Sequence, residues 1–219
     1  MKVLAWIEDL AADLETIGRQ PPPAPRWNQD WFPRLDAAAA YAIVRNTRPR
    51  RILEVGSGHS TRFLARAVAD GGLQTQITAI DPEPRASIDG LAVTCLRLPV
   101  QSAPPELFDA LREGDVLFID SSHQVKAGSD VEFLLERALP RLASGVRLHF
   151  HDIFLPDDYP TDWEWRRYNE QQAVAALLAG GYRQEFSSHQ ARKGALNGVL
   201  ARLPLVPGAR ESSLWLRKL

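Results

Sequence analysis

The sequence predicts an α/β fold in which helices cover both faces of a parallel sheet. Short apolar runs that suit β-strands alternate with stretches whose apolar residues have helical spacing. Each run is continuously apolar, as expected of parallel strands that are buried on both faces. Polar residues and glycines follow directly where the runs end. The first five strands are predicted at residues 51–55, 76–80, 91–98, 115–119 and 145–150.

The other elements follow from the same periodicities. Gly18 and the pair Gly180-Gly181 end predicted helices near either end of the chain, because glycine is favoured just after a helix. Helices are predicted at 3–17, 35–47, 61–69, 131–139 and 172–178. Three further segments are strand candidates: 182–187, 197–201 and 214–219.

Length and proline content predict how the chain is divided. Its 219 residues suit one domain with a small appendage. Residues 20–25 contain four prolines, which make a stiff linker rather than a helix or a central strand. We therefore predict an N-terminal helical extension with a proline-rich linker over residues 1–50, and a main domain over 51–219. The first helix has an apolar face, which makes it a candidate surface for a homodimer.

Charge and cysteine content argue against several functional classes. With 26 basic and 27 acidic residues, the chain has no overall field that would attract nucleic acid or an anionic membrane. No stretch approaches the roughly 18 apolar residues of a membrane span. Residues 1–10 lack the apolar core of a secretory signal. The single cysteine, Cys95, excludes an internal disulfide, and the predicted location is the cytoplasm.

The loop after the first predicted strand indicates a nucleoside-binding site. Gly56 and Gly58 allow a tight turn close to a ligand, and the helix that follows points free N–H groups at it. Asp81, at the end of the next strand, can accept hydrogen bonds from both ribose hydroxyls. A nicotinamide-dependent oxidoreductase is one alternative, but the third glycine of the dinucleotide fingerprint is missing.

These motifs resemble the class I S-adenosylmethionine-dependent methyltransferases, and most of all the bacterial methyltransferase domain 24 branch, which is related to the O-methyltransferases. The resemblance covers residues 51–153 and rests on four segments: Glu54–Ser60, Ile80-Asp81, Phe118–His123 and His149–Asp152. It implies a Rossmann-like, doubly wound, mostly parallel seven-stranded sheet. It also implies that the last strand, here 214–219, is antiparallel.

The resemblance further implies S-adenosylmethionine as the cofactor and a set of contacts to it. Its methionine side would lie along the glycine-rich loop, its ribose at Asp81 and its adenine near Gln101. The predicted cofactor-binding residues are Glu54, Gly56, Ser57, Gly58, His59, Ser60, Asp81, Gln101, Asp120 and Ser121.

Four residues at the ends of the fourth and fifth strands are predicted to be catalytic: Asp120, His123, His151 and Asp152. Methyl transfer to an oxygen needs a deprotonated acceptor, and a histidine with a pKa near 6.5 can be the base. A divalent cation can lower the pKa of the acceptor instead.

A metal site is therefore the second interpretation of the same four residues. The catechol-type O-methyltransferases hold a cation with two Asp and one Asn. Asp120 and Asp152 match the two acids, whereas Ile153 stands where the Asn is expected. Either histidine can replace the Asn and would favour a softer metal than Mg²⁺. The predicted metal ligands are Asp120, Asp152 and His123.

The predicted activity is methyl transfer from S-adenosylmethionine to a small molecule, at oxygen. A non-catalytic cofactor-binding module of the same fold is the second alternative, beside the oxidoreductase. Nucleic acid is not expected as a substrate, because the sequence has neither a basic stripe nor an N-P-P-[YFW] signature.

Overall fold

A computed structural model describes residues 2–219, and seven strands in this range form one sheet. The strands are β1 (Arg51–Val55), β2 (Gln76–Ile80), β3 (Thr94–Leu96), β4 (Val116–Ile119), β5 (Arg147–Phe150), β6 (Tyr182–Ser187) and β7 (Leu214–Lys218). Their order is β3-β2-β1-β4-β5-β7-β6. Strands β1 to β5 pair in parallel, and β7 is antiparallel to both β5 and β6. The predicted Rossmann-like sheet with an antiparallel last strand is confirmed.

Helices connect the strands and cover both faces of the sheet. They are α1 (Lys2–Asp9), α2 (Ala11–Leu14), α3 (Arg34–Thr47), α4 (His59–Asp70), α5 (Glu106–Asp109), α6 (Asp130–Phe133), α7 (Glu170–Ala179), α8 (Ser188–Ala191) and α9 (Val199–Arg202). Two predicted helices are less regular than expected. The first breaks at Leu10, and the fourth continues past α6 as a π turn and then a 3₁₀ turn, where Pro140 cannot donate a backbone hydrogen bond.

The strand candidate at 197–201 is wrong, because this segment is the short helix α9. Gly198 has a φ of 62°, which turns the chain just before the helix. The Glu8 carboxylate of α1 then accepts a hydrogen bond of 2.9 Å from the Val199 N–H. This side-chain acceptor from α1 serves the first amide of α9, so the segment starts a helix instead of pairing with the sheet.

Each face of the sheet has its own apolar core. Val116 and Phe118 of β4 contribute to the core shared with α3 and α4, whereas Leu117 and Ile119 contribute to the core on the other face. This alternation follows from the two-residue period of a strand. The buried apolar residues of segment 2–50 belong to the first of these cores, and they include Val3 and Ile7 of α1. Among the helices of residues 2–219, none combines the length and the apolar character needed to cross a bilayer.

We expect Trp215→Ala to lower the free energy of unfolding by about 3–5 kcal/mol, because this β7 indole is 0% exposed and its loss leaves a cavity. Urea unfolding followed by circular dichroism measures the change. Trp165→Ala is the matched control, since that indole is 75% exposed and should change stability by less than about 0.5 kcal/mol. Equal losses in the two variants would contradict the described core.

Candidate functional site

A cleft of about 600 Å³ opens at the carboxyl ends of the parallel strands. The loops after β1, β2, β4 and β5 line it, together with residues 30–32 before α3 and residues 208–210 before β7. The strand order reverses between β1 and β4, and ligands of open α/β sheets bind at this position. The structure thus brings most of the sequence-predicted residues into one cavity.

The glycine-rich loop after β1 passes directly against the end of β4. A Cβ atom on Gly56 would lie 1.9 Å from the backbone oxygen of Asp120, and Gly56 has a φ of 85°. No other residue type fits this position without moving one of the two segments. The contact therefore fixes the distance between the loop and the end of β4.

Glu54 holds the glycine-rich loop from behind. Its two carboxyl oxygens accept hydrogen bonds of 2.6 Å from the hydroxyls of Ser60 and Thr61, and the Thr61 hydroxyl accepts one from the Gly58 N–H. Burial raises the pKa of Glu54 to about 8. Glu54 is fully buried behind the loop and does not itself line the cleft, and its predicted contact with the cofactor stays a prediction. Its hydrogen bonds shape the loop that lines the cleft.

The other predicted cofactor-binding residues line the cleft: Gly56, Ser57, Gly58, His59, Ser60, Asp81, Gln101, Asp120 and Ser121. Asp81 is held by the Ser57 hydroxyl at 2.9 Å and by the Glu83 N–H at 2.8 Å. Burial and the nearby Arg62 lower the pKa of His59 to about 4, which leaves its imidazole neutral near pH 7. The Ser121 hydroxyl is buried without a hydrogen-bond partner in residues 2–219.

Asp120, His123, His151 and Asp152 form a compact cluster beside this loop. His123 Nε2 lies 3.4 Å from Asp120 Oδ1 and 3.6 Å from Asp152 Oδ2. His151 Nδ1 lies 3.5 Å from Asp120 Oδ1 and 3.6 Å from Asp152 Oδ1. Both His123 and Asp152 have positive φ values, 58° and 55°, a strained conformation that is common at functional sites. The four predicted catalytic residues therefore meet in space.

Two carboxylates that sequence reasoning missed lie behind the histidines. Glu170 Oε2, at the start of α7, is 2.9 Å from His123 Nδ1. Asp36 Oδ2, in the first turn of α3, is 3.4 Å from His151 Nε2. Both acids are buried, yet nothing in the local sequence distinguishes them from surface acids of a helix. A tertiary contact alone reveals them.

This surplus of carboxylates determines the charges of the cluster. Burial alone would lower the pKa of His123, but the contacts with Asp120 and Glu170 outweigh it and raise the pKa well above its usual value. Burial would also lower the pKa of His151, but the charges of Asp152 and Asp120 outweigh it and raise that pKa well above its usual value. Burial opposes ionisation of Asp120, and the charges of the two histidines nevertheless keep its pKa below the usual range. The cluster favours positive charge at its centre.

The donor atoms of the cluster also have the spacing of a metal site. One atom each of Asp120, His123 and His151 lies within 4.8 Å of the others. The sequence predicted Asp120, His123 and Asp152 as the metal ligands, whereas this group contains His151 in place of Asp152. Asp152 stays next to both histidines, and its Oδ1 accepts a 3.0 Å hydrogen bond from the Ser212 hydroxyl.

Comparison with known proteins gives a family match for the central part of the chain. Residues 53–153, from β1 to just after β5, match the family model described as a methyltransferase domain. No curated protein matches the sequence significantly.

Solved structures of low sequence identity share the fold. SAH-bound methyltransferase PaMTH1 of Podospora anserina is 19% identical, with a TM-score of 0.53 over 98% of this chain and 88% of that chain. Cofactor-bound Rv0187 from MTB is 15% identical, with a TM-score of 0.52 over 100% and 90% of the two chains. The branched-chain polyamine synthase of Thermus thermophilus, also 15% identical, has a TM-score of 0.52 over 95% of this chain and 63% of its own. At these identities the likeness concerns the fold, which serves more than one chemistry.

We expect Glu54 to make stability fall with rising pH. Its proton stays bound in the folded state up to a pKa of about 8, but leaves the unfolded chain near the usual value of 4.5. The stabilisation that the protonated Glu54 side chain gives the folded state is therefore fully present below about pH 4.5. That contribution is lost as the pH rises through 8, with a slope of up to about 1.4 kcal/mol per pH unit.

Urea unfolding of the wild type and of Glu54→Gln, from pH 5 to pH 9, isolates this effect. The glutamine cannot titrate, so the difference in unfolding free energy between the two proteins should change over this range. A constant difference would show that Glu54 is ionised throughout.

Proposed function

We propose that this chain, whose residues 53–153 match a methyltransferase domain, is a class I S-adenosylmethionine-dependent methyltransferase of the O-methyltransferase-like branch that methylates an oxygen atom of a small molecule. One observation carries the proposal: the glycine-rich loop and the Asp/His cluster line the same cleft. A methyl donor held by the loop would lie beside groups that can bind and deprotonate an acceptor. Such proximity and alignment are the main requirements of a displacement reaction.

The glycine-rich side of the cleft is the proposed cofactor site. Free N–H groups at the start of α4 and the close approach at Gly56 suit the amino acid end of S-adenosylmethionine. Asp81 lies at the end of β2, where a carboxylate can accept hydrogen bonds from both ribose hydroxyls. Gln101, near the proposed adenine position, is fixed by a 3.0 Å hydrogen bond from its Nε2 to the Gly128 carbonyl.

The cluster is the proposed catalytic site, and its donor set fits a divalent cation. Asp120, His123 and His151 would hold the cation, with Asp152 as a further oxygen donor beside them. Each histidine has a carboxylate next to its other ring nitrogen, as is usual for metal-bound histidines. Mixed nitrogen and oxygen donors suit Mn²⁺, Fe²⁺ or Zn²⁺ better than Mg²⁺. A bound cation would lower the pKa of the acceptor hydroxyl and orient it.

A metal-free reaction is the second form of the proposal. In that case the neutral form of His123 would take the proton of the acceptor, with Glu170 holding its ring in place. Because the neighbouring carboxylates raise the pKa of His123, this metal-free form would need a pH above the usual range of a histidine base. The buried carboxylates around the cluster favour the metal-bound form, because they place more negative than positive groups around one point. Asp152 would keep the acceptor hydroxyl close to the histidines in either form.

Ligand binding to metal-stripped protein tests the proposed function. We expect isothermal titration calorimetry to give micromolar affinities for S-adenosylmethionine and S-adenosylhomocysteine and no binding of NAD⁺. Titrations with Mg²⁺, Mn²⁺ and Zn²⁺ then separate the two forms, since tight binding of Mn²⁺ or Zn²⁺ supports the metal site. Binding of NAD⁺ instead of the two methionine derivatives would support the oxidoreductase alternative. Cofactor binding without turnover on any acceptor would support the non-catalytic module.

Asp81→Ala should weaken the binding of S-adenosylhomocysteine by about 2–4 kcal/mol, because two charge-assisted hydrogen bonds to the ribose would be lost. Calorimetry measures the change. Asp89→Ala is the control, since Asp89 follows the same strand but is exposed and does not line the cleft. An unchanged affinity in Asp81→Ala would exclude the proposed cofactor orientation.

Asp152→Ala should reduce turnover by about 100-fold or more while affinity for S-adenosylhomocysteine stays nearly constant. Asp152 lies in the cluster and not along the glycine-rich loop. Release of S-adenosylhomocysteine in the presence of an accepted phenol or alcohol measures turnover. The exposed Asp158→Ala, in the same loop, should retain full activity. Full activity of Asp152→Ala would remove this residue from the catalytic site.

A further inference from the structure

The part of the cleft beside the Asp/His cluster, away from the glycine-rich loop, has aromatic walls. Phe32 packs against His151 with ring centroids 5.5 Å apart, and Tyr168 packs against His123 at 4.6 Å. Trp163 lies edge-on to Tyr168 at 6.1 Å. These three side chains line the cleft beside the cluster. A planar ring is the acceptor shape that such walls would bind best.

One cation, Arg166, lies on this aromatic wall without an acidic partner. Its guanidinium carbon is 4.1 Å from the centre of the Trp163 ring and 5.5 Å from that of Tyr168. Nη1 donates a 3.2 Å hydrogen bond to the Tyr168 hydroxyl, whereas the buried Nε has no partner in residues 2–219. Within the same range, no carboxylate lies within 4.0 Å of this guanidinium.

The neighbouring Arg210, by contrast, is paired with a carboxylate. Its Nη2 lies 2.8 and 2.9 Å from the two carboxyl oxygens of Asp162. Arg166 and Arg210 both lie near the Trp163 ring, but only the charge of Arg210 is neutralised by a carboxylate. A partly buried cation without a counter-charge is unfavourable, and an anionic ligand in the cleft would pair with its terminal nitrogens, since the buried Nε is out of reach.

The backbone of Arg166 is also held in place. It is the last residue of the 3₁₀ helix Thr161–Arg166, and its carbonyl accepts a 3.1 Å hydrogen bond from Gln124 Nε2. Gln124 directly follows His123, so the wall that carries Arg166 is tied to the cluster. The guanidinium therefore has a defined position relative to the proposed methyl acceptor site.

We propose that Arg166 binds an anionic substituent of an aromatic acceptor, so that the substrate class is a hydroxylated aromatic carboxylate. This inference rests on the proposed function, because it assigns the acceptor of the same site. The hydroxyl lies at the Asp/His cluster, the ring lies between the aromatic walls, and the carboxylate pairs with the guanidinium, whose planar fork matches it. Arg166 is a specificity-determining residue that leaves cofactor binding to the glycine-rich loop.

Matched acceptors test this assignment on protein saturated with S-adenosylhomocysteine. The probes are 4-hydroxybenzoate and 4-hydroxycinnamate, each compared with its uncharged amide, which keeps the ring and the hydroxyl. Calorimetric affinity is measured for the wild type, for Arg166→Gln and for the control Arg167→Gln. Arg167 is the adjacent exposed arginine, and it does not line the cleft.

The wild type and Arg167→Gln should bind at least one acid about tenfold or more tightly than its amide. Arg166→Gln should bind acid and amide alike, while its affinity for S-adenosylhomocysteine stays unchanged. Equal binding of acid and amide by the wild type would overturn the proposal, as would a preference that persists in Arg166→Gln. Binding of none of the four probes would overturn the assigned acceptor class as well. Failure to bind S-adenosylhomocysteine would instead reject the proposed function itself.

Discussion

Two imidazoles buried among four carboxylates impose the main constraint on this structure. Charged groups are stable away from water only when they are paired, so every element around the cluster has to bring a partner to a defined position. The loops after β4 and β5 carry the central acids, α3 and α7 carry the outer ones, and the segment just before β7 adds the hydroxyl of Ser212. Asp36 also accepts hydrogen bonds from the N–H groups of Ser212 and Ser213, which joins the start of α3 to the residues that lead into β7.

The glycine-rich loop meets a second constraint, which is close backbone contact. Its turn at Gly56 lies so near the backbone of Asp120 that the proposed cofactor and catalytic regions share one wall. Glu54 stabilises the turn from the side away from the cleft by accepting hydrogen bonds from the hydroxyls of Ser60 and Thr61. A change in the loop would thus also move the start of the segment that carries Asp120 and His123.

The aromatic wall completes the cleft from the segment after β5. Phe154 anchors it by packing against Trp163 at 5.2 Å and Tyr159 at 5.9 Å, and Gln171 of α7 bonds the backbone of the same segment. This wall meets His123 through Tyr168, so the chemistry of the cluster and the shape of the acceptor site are coupled. The N-terminal residues take part as well, because Phe32 packs on His151 and belongs to the same core as α3 and α4.

The sequence alone determined the parallel sheet, the carboxyl-end location of the site and four of the residues in its cluster, because strand ends and glycine turns are set by local patterns. It also placed Asp81 and the loop from Gly56 to Ser60 at the cleft. Only the tertiary structure decided that Glu54 lies behind this loop and that the segment around Val199 is a helix. Asp36 and Glu170 likewise required the fold, because they reach the histidines from helices distant in sequence, and a buried acid on a helix has the same local pattern as a solvated one.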